Sequence, residues 1–145
     1  TMKTYKQLIS EDSESSWEKN TFNSKDLVEH ITKRLWVEVG TVLGDDFVVQ
    51  ARTMKLGGSP SVFLTVYGKD PVNRIMQNSP CWMSIGMHQI EDSPVSFQSD
   101  TVRKELGFRK ITAKTPDEAI TKLVAWFKKV KPDMVRLEQE KKNKK

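Results

Sequence analysis

The fold is decided by residues 47–67, which read FVVQARTMKLGGSPSVFLTVY. The first six residues form a short run rich in β-branched side chains, and such runs are typical of strands. Gly57-Gly58-Ser59-Pro60 is a strong turn signal, because glycine and proline both favour turn conformations. Residues 62–67 alternate aliphatic side chains with aromatic or hydroxyl ones, a period that predicts a second strand. We therefore predict a β-hairpin.

A first helix is predicted before this hairpin. Its apolar side chains recur at four-residue spacing, which places them on one helix face. They are Leu27, Ile31, Leu35 and Val39, with Val28 and Trp36 widening the stripe. Asn23 or Ser24 can cap the start of this helix, and Gly40 is expected to stop it.

A second helix is predicted near the end of the chain. Thr115 is the expected N-cap, Pro116 occupies the first helical position, and Glu118 completes a capping box. A core-facing stripe follows, formed by Ile120, Leu123, Val124, Phe127 and Val130. Pro132 is expected to end this helix, because the residue before a proline is disfavoured in the α region. A last amphipathic stretch, residues 134–137, precedes the final lysines.

Between the hairpin and the second helix, the pattern predicts a third strand at residues 81–88 and a fourth, shorter one at 108–113. Residues 72–77 are compatible with one helical turn, and a loop containing Pro94 follows the third strand. The order is thus helix, three or four mainly antiparallel strands, helix, which indicates a small single α+β domain. We assign residues 12–24 to a flexible linker, 25–137 to the domain and 138–145 to a basic tail.

Composition limits the class of protein. A chain of 145 residues with 37% apolar side chains can fill one core. No apolar run approaches the length that spans a bilayer, so we expect no membrane partner. No secretion signal is recognisable, and Cys81 is the only cysteine, so no intrachain disulfide can form. The simplest setting is a cytoplasm or a particle assembled in one.

The net charge of +5 is unevenly distributed. From Arg103 onward, 14 lysines and arginines stand against 6 acidic residues. We predict contacts to nucleic acid or another polyanion through the tail, since clustered lysines attract phosphate without sequence preference. The candidate residues are Lys141, Lys142, Lys144 and Lys145. The alternative is a solvated terminus that keeps the chain soluble.

The sequence offers no evident catalytic or metal site. His30 falls beside the core stripe of the first helix, and His88 lies on a predicted strand without a nearby acidic partner. Cys81 has no basic neighbour that would favour its thiolate. One cysteine and two distant histidines do not supply a usual zinc set. We expect no enzymatic activity and no cofactor.

The start of the chain carries a more specific pattern, Met2-Lys3-Thr4-Tyr5-Lys6-Gln7-Leu8-Ile9-Ser10-Glu11. We interpret Met2 as the natural start. The segment resembles the capsid-targeting leader of internal head proteins of T-even-type tailed bacteriophages. In that family the prohead protease cuts after a triplet of Leu or Ile, any residue and Glu. The triplet Ile9, Ser10, Glu11 matches it, and Asp12 would become the mature N-terminus.

The resemblance implies where such a protein travels. Its first partners would be the prohead core and the prohead protease, and its location would be the interior of the virion head. Ejection with the genome would then deliver it to the host cytoplasm, where some members disable host defences. The function implied is that of an inhibitor of a host defence protein. The alternatives are a DNA-associated head-structural protein and a nucleic-acid-binding protein whose N-terminus resembles a leader by coincidence.

Overall fold

A computed structural model describes residues 25–56, 59–69, 75–88 and 94–143. Within these ranges two helices and five strands are ordered along the chain. They are α1 (Lys25–Leu43), β1 (Phe47–Leu56), β2 (Ser59–Gly68), β3 (Met83–His88), β4 (Val95–Gln98), β5 (Ile111–Ala113) and α2 (Pro116–Asn143). Short 3-10 turns lie at Gly44–Asp46, Met76–Asn78 and Lys104–Leu106.

The strands form one antiparallel sheet whose spatial order, β1 to β5, follows the chain. Its first pair runs from Phe47 opposite Gly68 to Leu56 opposite Ser59, which confirms the predicted hairpin. The meander needs no crossover connection, because antiparallel neighbours can be joined by short turns. The predicted α+β class is confirmed.

Both helices pack against the sheet over a single apolar core. On β2 the aliphatic residues Val62, Leu64 and Val66 are fully buried, while the residues between them are half-buried on the other face. Apart from Trp36, the predicted stripes of both helices are buried as well, from Leu27 to Val39 and from Ile120 to Val130. The core therefore forms between two kinds of apolar surface. Side chains four residues apart share one face of each helix, and alternate side chains share one face of the sheet.

The end of α1 differs from the prediction. Gly40 lies inside the helix, which continues to Leu43. Leu43 is completely buried and extends the four-residue stripe by one more step, so core packing outweighs the cost of a helical glycine, about 1 kcal/mol. Gly44 follows in the left-handed region, at φ +68°. The placement of Trp36 in the core stripe was wrong, because its side chain is 50% exposed.

The N-terminus of α2 matches its prediction, and its C-terminus does not. The backbone N–H of Glu118 donates to the Thr115 hydroxyl at 3.2 Å, which confirms the cap. Pro132 does not end the helix, which continues to Asn143. An internal proline costs about 3 kcal/mol, and the complete burial of Met134 beyond it offsets part of that cost. Residues 138–143, predicted as part of a basic tail, are helical.

The sheet also contains a strand that the sequence pattern did not predict. Val95–Gln98 forms β4 within a segment predicted to be a loop, whereas β5 has only three of the six residues predicted for it. The four residues of β4 alternate apolar and polar side chains, which is the shortest run that indicates a strand, and the sequence analysis overlooked it. β4 is stabilised by pairing with β3 on one side and β5 on the other.

Candidate binding surfaces

The two histidines and the cysteine occupy separate environments. His30 is exposed, and its ring nitrogen lies 3.3 Å from a carboxylate oxygen of Asp117. The ring of His88 meets Phe63 edge-on at a centroid distance of 5.9 Å, and partial burial lowers the pKa of His88. Cys81 is buried, and desolvation raises the pKa of its thiol, with the Glu138 carboxylate adding to the effect. A protonated thiol is a poor nucleophile.

Among the residues that the structure describes, no group of three histidine, cysteine or acidic side chains could hold a metal ion. In the same part of the chain, no helix is long and apolar enough to cross a membrane.

A polar cluster connects α2 to the end of β2 and to the turn that precedes β3. One Glu138 oxygen accepts hydrogen bonds from the Ser79 hydroxyl at 2.8 Å and from the Cys81 N–H at 3.0 Å. The Ser79 oxygen in turn accepts the Gly68 N–H at 2.8 Å. The sequence reasoning missed this cluster, because Glu138 lies 59 residues beyond Ser79 and no local pattern links them. Its contacts satisfy buried backbone donors and indicate a structural role.

A second cluster ties the two helices together. Arg34 donates to the Asp117 carboxylate at 2.6 Å and, through a second guanidinium nitrogen, to Glu38 at 2.9 Å. The hydrogen bond from Arg34 holds the pKa of Glu38 below its ordinary value. This arrangement fixes α1 against the first turn of α2. We therefore assign it a role in the packing of the two helices.

A surface groove of about 690 Å³ runs between α1 and the edge strand β1. Trp36 and Val37 line it and are 50% and 56% exposed. Lys33 on α1 and Arg52 on β1 place two cationic side chains at the same groove, and the carboxylate of Glu29 on α1 also lines it. Tryptophan is enriched among the residues at the centres of protein interfaces that contribute most to binding. This groove is the strongest candidate for contact with another protein.

Positive charge gathers at the opposite edge of the sheet. The Phe108 ring packs edge-on against Trp126 of α2 at 5.0 Å, and the Lys122 amine donates to the Thr112 carbonyl at 2.8 Å. These contacts place residues 108–114 along the flank of α2 that presents Lys122 and Lys129. Between residues 103 and 131 the chain has nine lysines and arginines and three acidic residues.

Of the predicted leader and tail residues, the structure describes the side chain of Lys141. Ile9, Ser10 and Glu11 of the leader, and the linker 12–24, lie outside the described residues. The Lys141 amine donates to the Asn78 carbonyl at 2.6 Å, so this lysine holds the helix end against the turn before β3. The side chains of Lys142, Lys144 and Lys145 also lie outside the description. The sequence reasoning missed the groove, because the exposure of Trp36 depends on which side of α1 meets the sheet.

The chain was compared with protein families, curated proteins and solved structures. No protein-family model matches the chain, and neither a curated protein nor a solved structure matches it.

Proposed function

We propose that this chain is an internal head protein of a T-even-type tailed bacteriophage, which is packaged with the genome, injected into the host and there inhibits a host defence protein. The observation that carries the proposal is the run from Met2 to Glu11, which agrees with the family's leader from its first residue to its cleavage triplet. The leader concerns packaging alone. The inhibitory step needs a separate support.

The groove at Trp36 supports that second step. An inhibitor that acts by binding needs an apolar anchor and a polar rim, and it needs no catalytic group. Trp36 and Val37 offer the anchor, and Lys33 and Arg52 offer cationic groups beside it. Two cations against the single carboxylate of Glu29 leave the groove net positive, so we propose that the partner contributes an apolar side chain flanked by carboxylates.

Packaging is tested by co-expressing the chain with a T-even-type prohead protease and measuring its intact mass. We expect cleavage after Glu11, leaving Asp12 as the N-terminus. Glu11→Gln should block the cut, because it removes the carboxylate of the triplet. Ser10→Ala is the matched control and should be cut normally, since the middle position accepts any residue. An uncut wild-type chain contradicts the packaging proposal.

Inhibition is tested by producing residues 12–145, after a start methionine, in a bacterium that restricts an incoming phage. We expect more plaques in the presence of the protein, and a loss of that gain for Trp36→Ser/Val37→Ser. The matched control is Ile75→Ser/Met76→Ser, which removes two other exposed apolar side chains. Equal effects of the two variants contradict the assignment of the groove, and no gain with the unmodified domain contradicts the inhibitory role in that host.

A further inference from the structure

We propose that the flank of α2 beside β5 is a binding site for the phosphate backbone of a nucleic-acid duplex. Five cationic residues define this flank: Arg109, Lys110, Lys114, Lys122 and Lys129. The inference goes beyond the packaging proposal and does not depend on the leader, because all five residues lie in the folded domain.

The arrangement of the flank is set by tertiary contacts. The Phe108–Trp126 contact and the hydrogen bond from Lys122 to Thr112 hold the 108–114 segment against the helix. Lys122 and Lys129 are seven residues apart on α2, which separates them by about 10 Å along the helix axis. That distance corresponds to about three base-pair steps of a duplex at roughly 3.4 Å each.

The charges of this flank are mostly uncompensated. Glu118 lies 3.7 Å from the Lys122 amine and neutralises part of one charge. The other four cations are exposed and have no ion pair to a described residue within 4 Å. On the opposite flank of α2, by contrast, Lys128 lies close enough to Glu38 to help lower the pKa of that carboxyl. The positive field is therefore stronger on the β5 side.

The other features of the flank favour a nucleic-acid duplex over a single strand or a lipid surface. Trp126 is half-buried and meets two phenylalanine rings edge-on, at 5.0 Å for Phe108 and 4.8 Å for Phe127, so it does not offer a free face for base stacking. Single-stranded nucleic acid is usually held on such faces. The large apolar side chains exposed in the described part of the chain, Trp36, Val37, Ile75 and Met76, belong to other elements, so the flank has no apolar anchor for a lipid surface.

The test is equilibrium binding of the full chain to a fluorescent random-sequence DNA duplex over a range of salt concentrations. The flank variant is Lys110→Gln/Lys114→Gln/Lys129→Gln, which leaves the structural hydrogen bond of Lys122 intact. It should bind at least tenfold more weakly at about 50 mM salt and should lower the slope of log affinity against log salt by about 2 to 3. The matched control, Lys33→Gln/Arg52→Gln/Lys69→Gln, makes the same change in net charge away from β5 and should retain most of the affinity.

Three outcomes overturn the proposal. The first is the absence of salt-dependent binding to the duplex. The second is an equal loss in the flank and control variants, which would show a dependence on net charge alone. The third is a larger loss for Lys142→Gln/Lys144→Gln/Lys145→Gln than for the flank variant, which would assign binding to the end of the chain. Binding to vesicles of anionic phospholipid without binding to DNA counts as the first outcome.

Discussion

The Glu138 carboxylate accepts the backbone N–H of Cys81 at 3.0 Å, so the last third of α2 is joined to the turn that leads into β3. The same oxygen accepts the Ser79 hydroxyl, and the Ser79 oxygen accepts the N–H of Gly68 at the end of β2. One side chain of α2 therefore satisfies polar groups of two chain segments. Because unpaired buried polar groups are costly, this cluster contributes to stability well beyond the charge of one surface residue.

Replacement of Glu138 tests that contribution. Glu138→Ala should lower the free energy of unfolding by about 2 kcal/mol, because hydrogen bonds to a charged group are lost and their donors are left unpaired. Urea denaturation measures the change. Glu140→Ala is the matched control two residues further along, and it should cost less than about 0.5 kcal/mol because Glu140 is exposed. Equal effects of the two replacements would contradict the structural role of Glu138.

Pro132 provides a second test. Pro132→Ala should raise the free energy of unfolding by about 1 kcal/mol or more, because alanine restores a backbone donor and is the better helix former. Pro132 is exposed, so the replacement removes little packing. Urea denaturation again gives the measurement. A lower stability would mean that the proline is needed to direct the helix end, with Met134 and Glu138, onto the sheet.

The Arg34–Glu38 pair predicts a pH dependence of stability. Arg34 lowers the pKa of Glu38 in the folded state, chiefly by hydrogen bonding. A carboxyl with a lowered pKa stabilises the fold above its unfolded pKa, about 4.3, and that contribution is lost as pH falls through the folded value. Arg34→Met should therefore reduce the decline in urea midpoint on acidification below about pH 5. The effect should be modest, since both side chains are partly exposed to solvent.

Arg136→Met is the matched control for that experiment. Arg136 is more exposed than Arg34, and its contacts to Asp133 and Glu140 lie within α2, at 3.3 Å and 3.7 Å. The replacement makes the same change in net charge without breaking a contact between helices. An identical pH profile for the two variants would exclude a specific effect of the Arg34–Glu38 pair.

Cys81 should be unreactive in the folded protein. Burial and the neighbouring Glu138 carboxylate raise the pKa of the thiol, so little thiolate is present at neutral pH. We expect labelling by a thiol reagent at pH 8 to be at least about 100-fold slower in the native chain than in denaturant, since reaction must await local opening. Mass spectrometry follows the labelled fraction. Comparable rates in both states would show that the Cys81 site is open in solution.

Several expectations could be made from sequence because they depend on neighbouring residues. The hairpin at residues 47–67 and the cap at Thr115 each depend on about four to twenty consecutive positions. The core stripes were likewise visible in the four-residue period of each helix. β4 was missed because its apolar–polar alternation is only four residues long, and pairing with β3 and β5 is what stabilises so short a strand. The exposure of Trp36 also depends on which side of α1 meets the sheet.

By itself, the sequence determined the α+β class, the hairpin and the start of α2, while the resemblance of residues 2–11 to a leader stays a prediction. These features follow from the secondary-structure propensity of each residue and from the spacing of apolar side chains, both of which depend on residues close in the chain. Only the tertiary structure decided that α2 continues through Pro132, that Glu138 joins α2 to Cys81, and that the segment 108–114 lies along α2. These outcomes depend on contacts between distant segments, whose energies outweigh the local preferences of a proline or an isolated charge.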